Sequence, residues 1–225
     1  MAVVALMLGA QWALATTMPL GPGPVVIEAE DAVVAVEIAD AARPLVDFPP
    51  AAEERVTVKT SGAETRVVVA RGPGGPDRRV ALRVVLNRSQ ALEIAGASLD
   101  VSIEDRAAAA AEGRRPGGVA AAEAAEGNRV PLVRVRLSRS TLRARSLDLA
   151  GRSFSVVAES SEVDVEACSA PLDAELSGGA LRLSGHRGAA RIVGRQASIS
   201  LEEGATPATV QREDGEHTAR HGDGN

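Results

Sequence analysis

Six short triplets, each an apolar residue, a polar one and another apolar one, recur every nine residues between Phe154 and Leu201. They are Phe154-Ser155-Val156, Val163-Asp164-Val165, Leu172-Asp173-Ala174, Leu181-Arg182-Leu183, Ala190-Arg191-Ile192 and Ile199-Ser200-Leu201. Alternation inside a triplet puts its outer members on one face of a strand and the middle residue on the other. Turn formers separate the triplets: Ser160-Ser161, Ser169-Ala170-Pro171, Ser177-Gly178-Gly179 and Gly185-His186-Arg187-Gly188. The repeating unit is therefore a short strand plus a turn. A β-solenoid (parallel β-helix) with about two units per coil fits this period, and so does an antiparallel β-sandwich built of hairpins. The solenoid is the expectation, because identical levels stack small and medium aliphatic side chains without the large plugs of a sandwich core.

Fainter copies lie upstream. Leu92-Glu93-Ile94 and Val101-Ser102-Ile103 are nine residues apart, as are Val133-Arg134-Val135 and Leu142-Arg143-Ala144. Nearer the N-terminus, Val25 to Glu30, Val33 to Ile38, Arg55 to Lys59, Thr65 to Ala70 and Val80 to Leu86 read as strands. Alanine-rich low complexity from Asp105 to Arg129, broken by Gly113, Pro116, Gly117 and Gly118, reads as an insertion. One domain over residues 25–203 is expected, with that insertion at 105–129 and a disordered tail at 204–225.

Residues 1–20 carry no charge, Val3 to Ala10 is apolar, and Ala13-Leu14-Ala15 has the small-x-small spacing of a cleavage site. Residues 1–15 are read as a signal peptide or an N-terminal anchor, which places the chain outside the cytoplasm, in the periplasm, at the cell surface or secreted. In the anchor case, residues 1–20 attach it to a membrane. The first basic residue is Arg43, so the usual basic start of a signal is missing.

Composition removes several functions. Aromatic residues make up 1% of the chain, which leaves almost nothing for sugar platforms or base stacking. A net charge of −5 argues against a nucleic-acid partner. The single cysteine, Cys168, cannot form an internal disulfide, and its acidic flank disfavours a thiolate, so it reads as a half-buried turn residue. His186 reads as a solvated turn histidine, since no second histidine or cysteine stands at ligand spacing. The Gly-Gly-x-Gly-x-Asp turns of calcium solenoids are absent, and Gly-x-Ser never continues to Gly-x-Ser-x-Gly. No catalytic, cofactor-binding or metal-binding residue is expected, and no cofactor.

Charge clusters are the remaining candidates for an interaction surface. Arg134, Arg136, Arg143 and Arg145 make one stretch basic, and Glu162, Asp164 and Glu166 make the next one acidic. Opposite charges facing across a strand ladder contribute about 0.2–1 kcal/mol per pair, so mutual pairing is the preferred reading over a site for anionic polymers.

The segments Gly96-Ala97-Ser98-Leu99-Asp100-Val101 and Gly151-Arg152-Ser153-Phe154-Ser155-Val156, and loosely Ser177-Gly178-Gly179-Ala180-Leu181-Arg182-Leu183, share a glycine-x-serine start and an apolar-x-apolar end. In this they resemble the autotransporter-adhesin head domain of bacteria, a β-solenoid family. The resemblance covers about Val25 to Glu202 and implies an exported, adhesin-like domain, with no catalytic residues to carry over. The expected function is a non-enzymatic, adhesin-like or structural interaction domain at the cell envelope, binding a protein or cell-surface component. The alternative is a membrane-anchored accessory or sensor domain that acts through a partner protein. A solenoid polysaccharide hydrolase ranks third.

Overall fold

The computed structural model describes residues 15–40, 43–72, 79–106, 132–202 and 208–212. Among these the fold is all-β. The strands are β1 (Thr16–Pro19), β2 (Val25–Glu30), β3 (Ala32–Ala39), β4 (Leu45–Phe48), β5 (Val56–Ser61), β6 (Glu64–Val69), β7 (Val80–Asn87) and β8 (Leu92–Ala97). They continue as β9 (Asp100–Asp105), β10 (Val133–Ser138), β11 (Thr141–Arg145), β12 (Phe154–Glu166), β13 (Leu172–Ser184), β14 (Ala190–Arg195), β15 (Ser198–Leu201) and β16 (Ala208–Arg212). A short 3-10 turn, Pro50–Ala52, follows β4. Alternation of buried and outward residues along β2, β3, β7 and β8 is what their apolar-polar sequences call for.

All sixteen strands belong to one sheet. Twelve of them follow a single path, β1-β4-β7-β3-β9-β11-β12-β10-β8-β2-β6-β5, and β13 to β16 attach beyond β12. β12 is the fold in this path: Phe154–Glu159 pairs with β10, and Glu162–Glu166 pairs with β11. One arm of the sheet therefore runs through β10, β8, β2, β6 and β5, and the other through β11, β9, β3, β7, β4 and β1. The two arms meet again at their far ends. Just past β1, the Gly21 amide donates to Thr65 Oγ1 at 3.0 Å, and Thr16 Oγ1 lies 2.6 Å from Glu53 Oε1, just ahead of β5. The wall is nearly closed, barrel-like, and wraps one core.

The expected parallel β-solenoid is thereby corrected, and so is the antiparallel sandwich alternative. The finding that overturns both is the mixed, nearly closed sheet, in which β1–β4, β4–β7 and β5–β6 pair antiparallel and the other pairs are parallel. The reason lies in the connections. Between β5 and β6 there are only two residues, with Gly62 at φ 60°, and so short a loop joins antiparallel neighbours only. β1 lies ahead of Val25, and five residues of the segment expected to be a disordered tail form β16. The signal or anchor reading of residues 1–15 falls outside the described residues apart from Ala15. The insertion reading falls outside them apart from Asp105 and Arg106.

Within the parallel part, register follows the nine-residue period in steps of two units. Phe154 pairs with Leu172, Leu172 with Ala190, and Ala190 with Ala208. Rows of apolar side chains result, such as Ile27, Ile94, Val135, Val156, Ala174 and Ile192, every one fully buried. At about 25 cal/mol per Å2 of apolar surface, stacked aliphatics of this kind are the main stabilising term.

One backbone feature recurs at a fixed register. Asp31, Ser98, Arg139, Ser160, Gly178 and Gln196 each follow laterally paired residues, and all have positive φ, from 47° to 74°. A second row, Ser146, Ala167 and Gly185, behaves the same way. Left-handed backbone turns each chain segment from one arm to the other. Below the first row, Ser140 and Ser161 are buried and accept the amides of Leu99 (2.9 Å) and Ser140 (3.1 Å). At the next level stands Gly179, where a Cβ would lie 2.1 Å from the Ser161 carbonyl oxygen, so only glycine fits.

The glycine-x-serine motif does not mark one structural position. Gly96 lies within β8, whereas Gly151 sits in the turn ahead of β12 at φ 78°.

Candidate interaction surface

The first arm's outer face carries two concavities that meet. One, about 570 Å3, runs over β8, β10, β12, β13 and β14; the other, about 470 Å3, runs over β6, β2 and β8. They share Ala95 and Gly96. Ala95 keeps the floor low, since it carries only a methyl group, and Gly96 beside it lets the backbone pass close to Ala29, whose carbonyl oxygen would lie 1.9 Å from a Cβ there. The groove crosses the strands. Glu28, Ala95, Arg136, Val157, Glu175 and Val193 stand side by side at one register position, about 4.8 Å from strand to strand. Val157 is 42% exposed at the centre, one of two exposed large hydrophobic residues among those described. Its lateral neighbours are Arg136 on one side and Glu175 on the other.

The sequence-derived candidates divide between the two arms. Arg134 and Arg136 lie on β10, with Arg136 on the groove, and both reach Glu93 on β8, at 3.8 and 3.1 Å. Arg143 and Arg145 lie on β11 of the other arm, beside Asp164 and Glu166 of β12, and Glu162 stands beside Thr141. Arg145 binds Glu166 at 3.0 Å. Seven residues read as one possible surface thus occupy two faces, and several face one another across the ladder. The groove's other lining groups, Val157, Glu175, Arg191 and Val193, were not singled out as site residues. Their signal was available in part, as outward positions of strands whose inward positions were legible.

On the second arm a denser network binds the antiparallel strands. Arg83 of β7 holds Glu37 of β3 through two hydrogen bonds of 3.0 Å and Asp47 of β4 through one of 3.0 Å. Thr17 of β1 lies 2.6 Å from Asp47, and Arg106 adds a 2.8 Å ion pair to Glu37. Hydrogen bonding to Glu37 raises the Arg83 pKa above its ordinary value, against desolvation and with help from Asp47. Farther along, Arg88 reaches the fully buried Asp105 at 2.7 Å.

Two readings of single residues are corrected. His186, expected in solvent, is fully buried, and so is Cys168, expected half-buried. Register explains both. Leu147, Cys168 and His186 occupy the same position, two residues beyond paired Arg145, Glu166 and Ser184, where the chain turns inward after its left-handed residue. Cys168 Sγ accepts the Leu147 amide at 3.5 Å. Desolvation lowers the His186 pKa, while backbone hydrogen bonds with Ala189 and Gly188 act in the opposite direction. Both groups lie away from the grooves, so neither groove is lined by an imidazole or a thiol. Among the described residues no group of three His, Cys, Asp or Glu side chains could hold a metal ion, and no helix is long and apolar enough to cross a membrane.

No family model and no curated protein matches the chain. Among solved structures, the chain is similar to a putative cell adhesion protein from Clostridium sporogenes, at 6% identity and a TM-score of 0.38, covering 88% of this chain and 99% of that one. It is also similar to a putative adhesin from Parabacteroides merdae, at 8% identity and a TM-score of 0.30, covering 89% and 95%. At such scores these likenesses carry no argument about function.

Proposed function

We propose that the protein is a non-enzymatic, adhesin-like interaction domain of the cell envelope that binds a protein partner along the groove of its first arm. The observation that supports this reading is the adjoining pair of concavities with Val157 exposed at the centre between Arg136 and Glu175. An apolar centre flanked by both signs of charge suits an extended protein segment. A polyanion would call for charge of one sign, and the groove has Glu159 and Glu175 as well as Arg136 and Arg191. General acid-base or nucleophilic chemistry needs an activated group, and among the described residues the one histidine and the one cysteine, His186 and Cys168, are in the core.

The test is binding of the purified chain to intact cells, extracellular matrix and envelope proteins. Val157→Asp together with Glu175→Arg should abolish binding, while Arg182→Ser on the opposite arm should leave it unchanged. Equal loss in both variants, or none in either, would refute the groove as the binding face. Intact mass and cell fractionation test the compartment. Processed protein outside the cytoplasm agrees with the exported domain, full-length protein in the membrane points to the anchored accessory domain, and full-length cytoplasmic protein removes the envelope reading.

A further inference from the structure

We infer that the chain associates through its C-terminal edge with a second copy of itself, β15 pairing antiparallel with β15 about a two-fold axis at Ser200. The inference rests on that strand edge and is independent of the groove. Rows of inward side chains stop abruptly there. Val101, Leu142, Val163 and Leu181 are buried in one row and Ile103, Ala144, Val165 and Leu183 in the next, but these rows end in the half-buried Ile199 and in Leu201, which is 44% exposed. One more strand laid beside β15, presenting apolar residues inward, would complete both rows.

Among the described residues β15 pairs with β13 alone. Its sequence, Ser198-Ile199-Ser200-Leu201, has neither charge nor proline, two of the devices by which exposed edges are blunted. The backbone supplies the register. Glu202 donates its amide to the Leu183 carbonyl at 2.9 Å, so its N–H points toward β13. Successive residues of a strand point their backbone groups to opposite edges, and Ile199 and Leu201 therefore aim theirs outward. In an antiparallel pair centred on Ser200, Ile199 faces Leu201 of the second copy. Each exchanges both hydrogen bonds with the other, and both side chains fall on the inward face. No shift by one residue does this, because it would set an apolar residue opposite a serine.

Another occupant has to be weighed, the chain's own residues 213–225. They contain no Val, Leu, Ile, Met, Phe or Trp, so they bring no large apolar side chain to cover Leu201, whereas a second copy brings Ile199 and Leu201 themselves.

The test uses the full chain. Sedimentation over a concentration series should show a dimer, and Leu201→Lys should weaken it at least tenfold in Kd, while Val157→Lys, remote from the edge, should not. Register is read by cysteine pairing. At the axis, Ser200 faces Ser200 in a pair without mutual hydrogen bonds, about 4.5 Å apart at Cα, within disulfide range. Ser200→Cys should cross-link on mild oxidation and Ser198→Cys should not, and the buried Cys168 does not compete. A monomeric full chain at high concentration would overturn the inference, as would equal cross-linking at positions 198 and 200. If the full chain is monomeric and a chain ending at Arg212 dimerises, the residues beyond Arg212 cover the edge, and the inference fails in that specific way.

Discussion

The two ends of the sheet are built on opposite plans. At the N-terminal end, β1, β4 and β5 pair antiparallel, and Arg83 ties β3, β7 and β4 together through Glu37 and Asp47. Val46 and Phe48 of β4 are buried under this cap. The C-terminal end has no such cap among the described residues: β15 and β16 each pair with one strand, and Leu201 is left exposed. The contrast shows that parallel stacking alone does not terminate itself. Each level offers the next the same rows of side chains and backbone groups, so ending the array needs a strand of different direction, an ionic lid or a partner.

The sharpest way to break this comparison is to strike the packed row one strand in from the open end, where Leu181 stands beside Ile199. Leu181→Asp puts a charge into a fully packed row, and a loss of more than about 4 kcal/mol is expected, seen as loss of the β-sheet circular dichroism signal. A folded variant would show that the inward assignment is wrong. Next comes the cap. Arg83→Met leaves the nearly buried Asp47 without its cation and should cost about 1–3 kcal/mol in urea unfolding, the upper part of the charged-hydrogen-bond range being discounted for partial exposure. If the loss were no larger than that for Arg182→Ser at the open end, the ionic lid would have no special role.

Acid should act through His186. Its folded-state pKa lies below its ordinary value of about 6.5, so the unfolded chain takes up a proton that the folded chain resists. The stability this contributes is complete above about pH 6.5 and is lost as pH falls through the window below it. The melting temperature should drop between pH 7.5 and 5.5 by more in the wild type than in His186→Leu, and equal drops would remove histidine as the cause. A smaller effect of opposite sign is expected at Ala167, held at φ 54°. Ala167→Gly relieves left-handed strain and should stabilise by about 0.5–1 kcal/mol after the entropic cost of glycine, while Gly185→Ala, one level on, should destabilise. Smallest of all is Arg136→Ser, which removes an exposed ion pair to Glu93 and should cost about 0–1 kcal/mol by thermal melting.

Much of the strand plan was legible because burial imposes period two and the repeat imposes nine. β2 begins and ends where its sequence predicts, and the triplets from Phe154 to Ile192 point their outer members inward. β4 was not legible: four residues between Pro44 and Pro49 are too short to show a period, and their pairing with β1 and β7 is long-range. The left-handed rows escaped for another reason. Glycine is the usual sign of positive φ, but Ser98, Arg139, Ser160, Ala167 and Gln196 adopt it because the ladders on either side leave each chain segment no other way round the bend.

What the sequence by itself determined, then, is that strands form, which of their side chains face inward and how long the repeating unit is, since these follow from local alternation and turn residues. Only the tertiary structure decided the direction of the pairing at each end, the closing of the sheet around one core, the burial of His186 and Cys168, and the meeting of Arg136, Val157 and Glu175 in one groove. Those outcomes depend on which strands become neighbours. A chain records its own alternation residue by residue, but the choice of neighbour is settled by the combined packing of segments far apart in sequence.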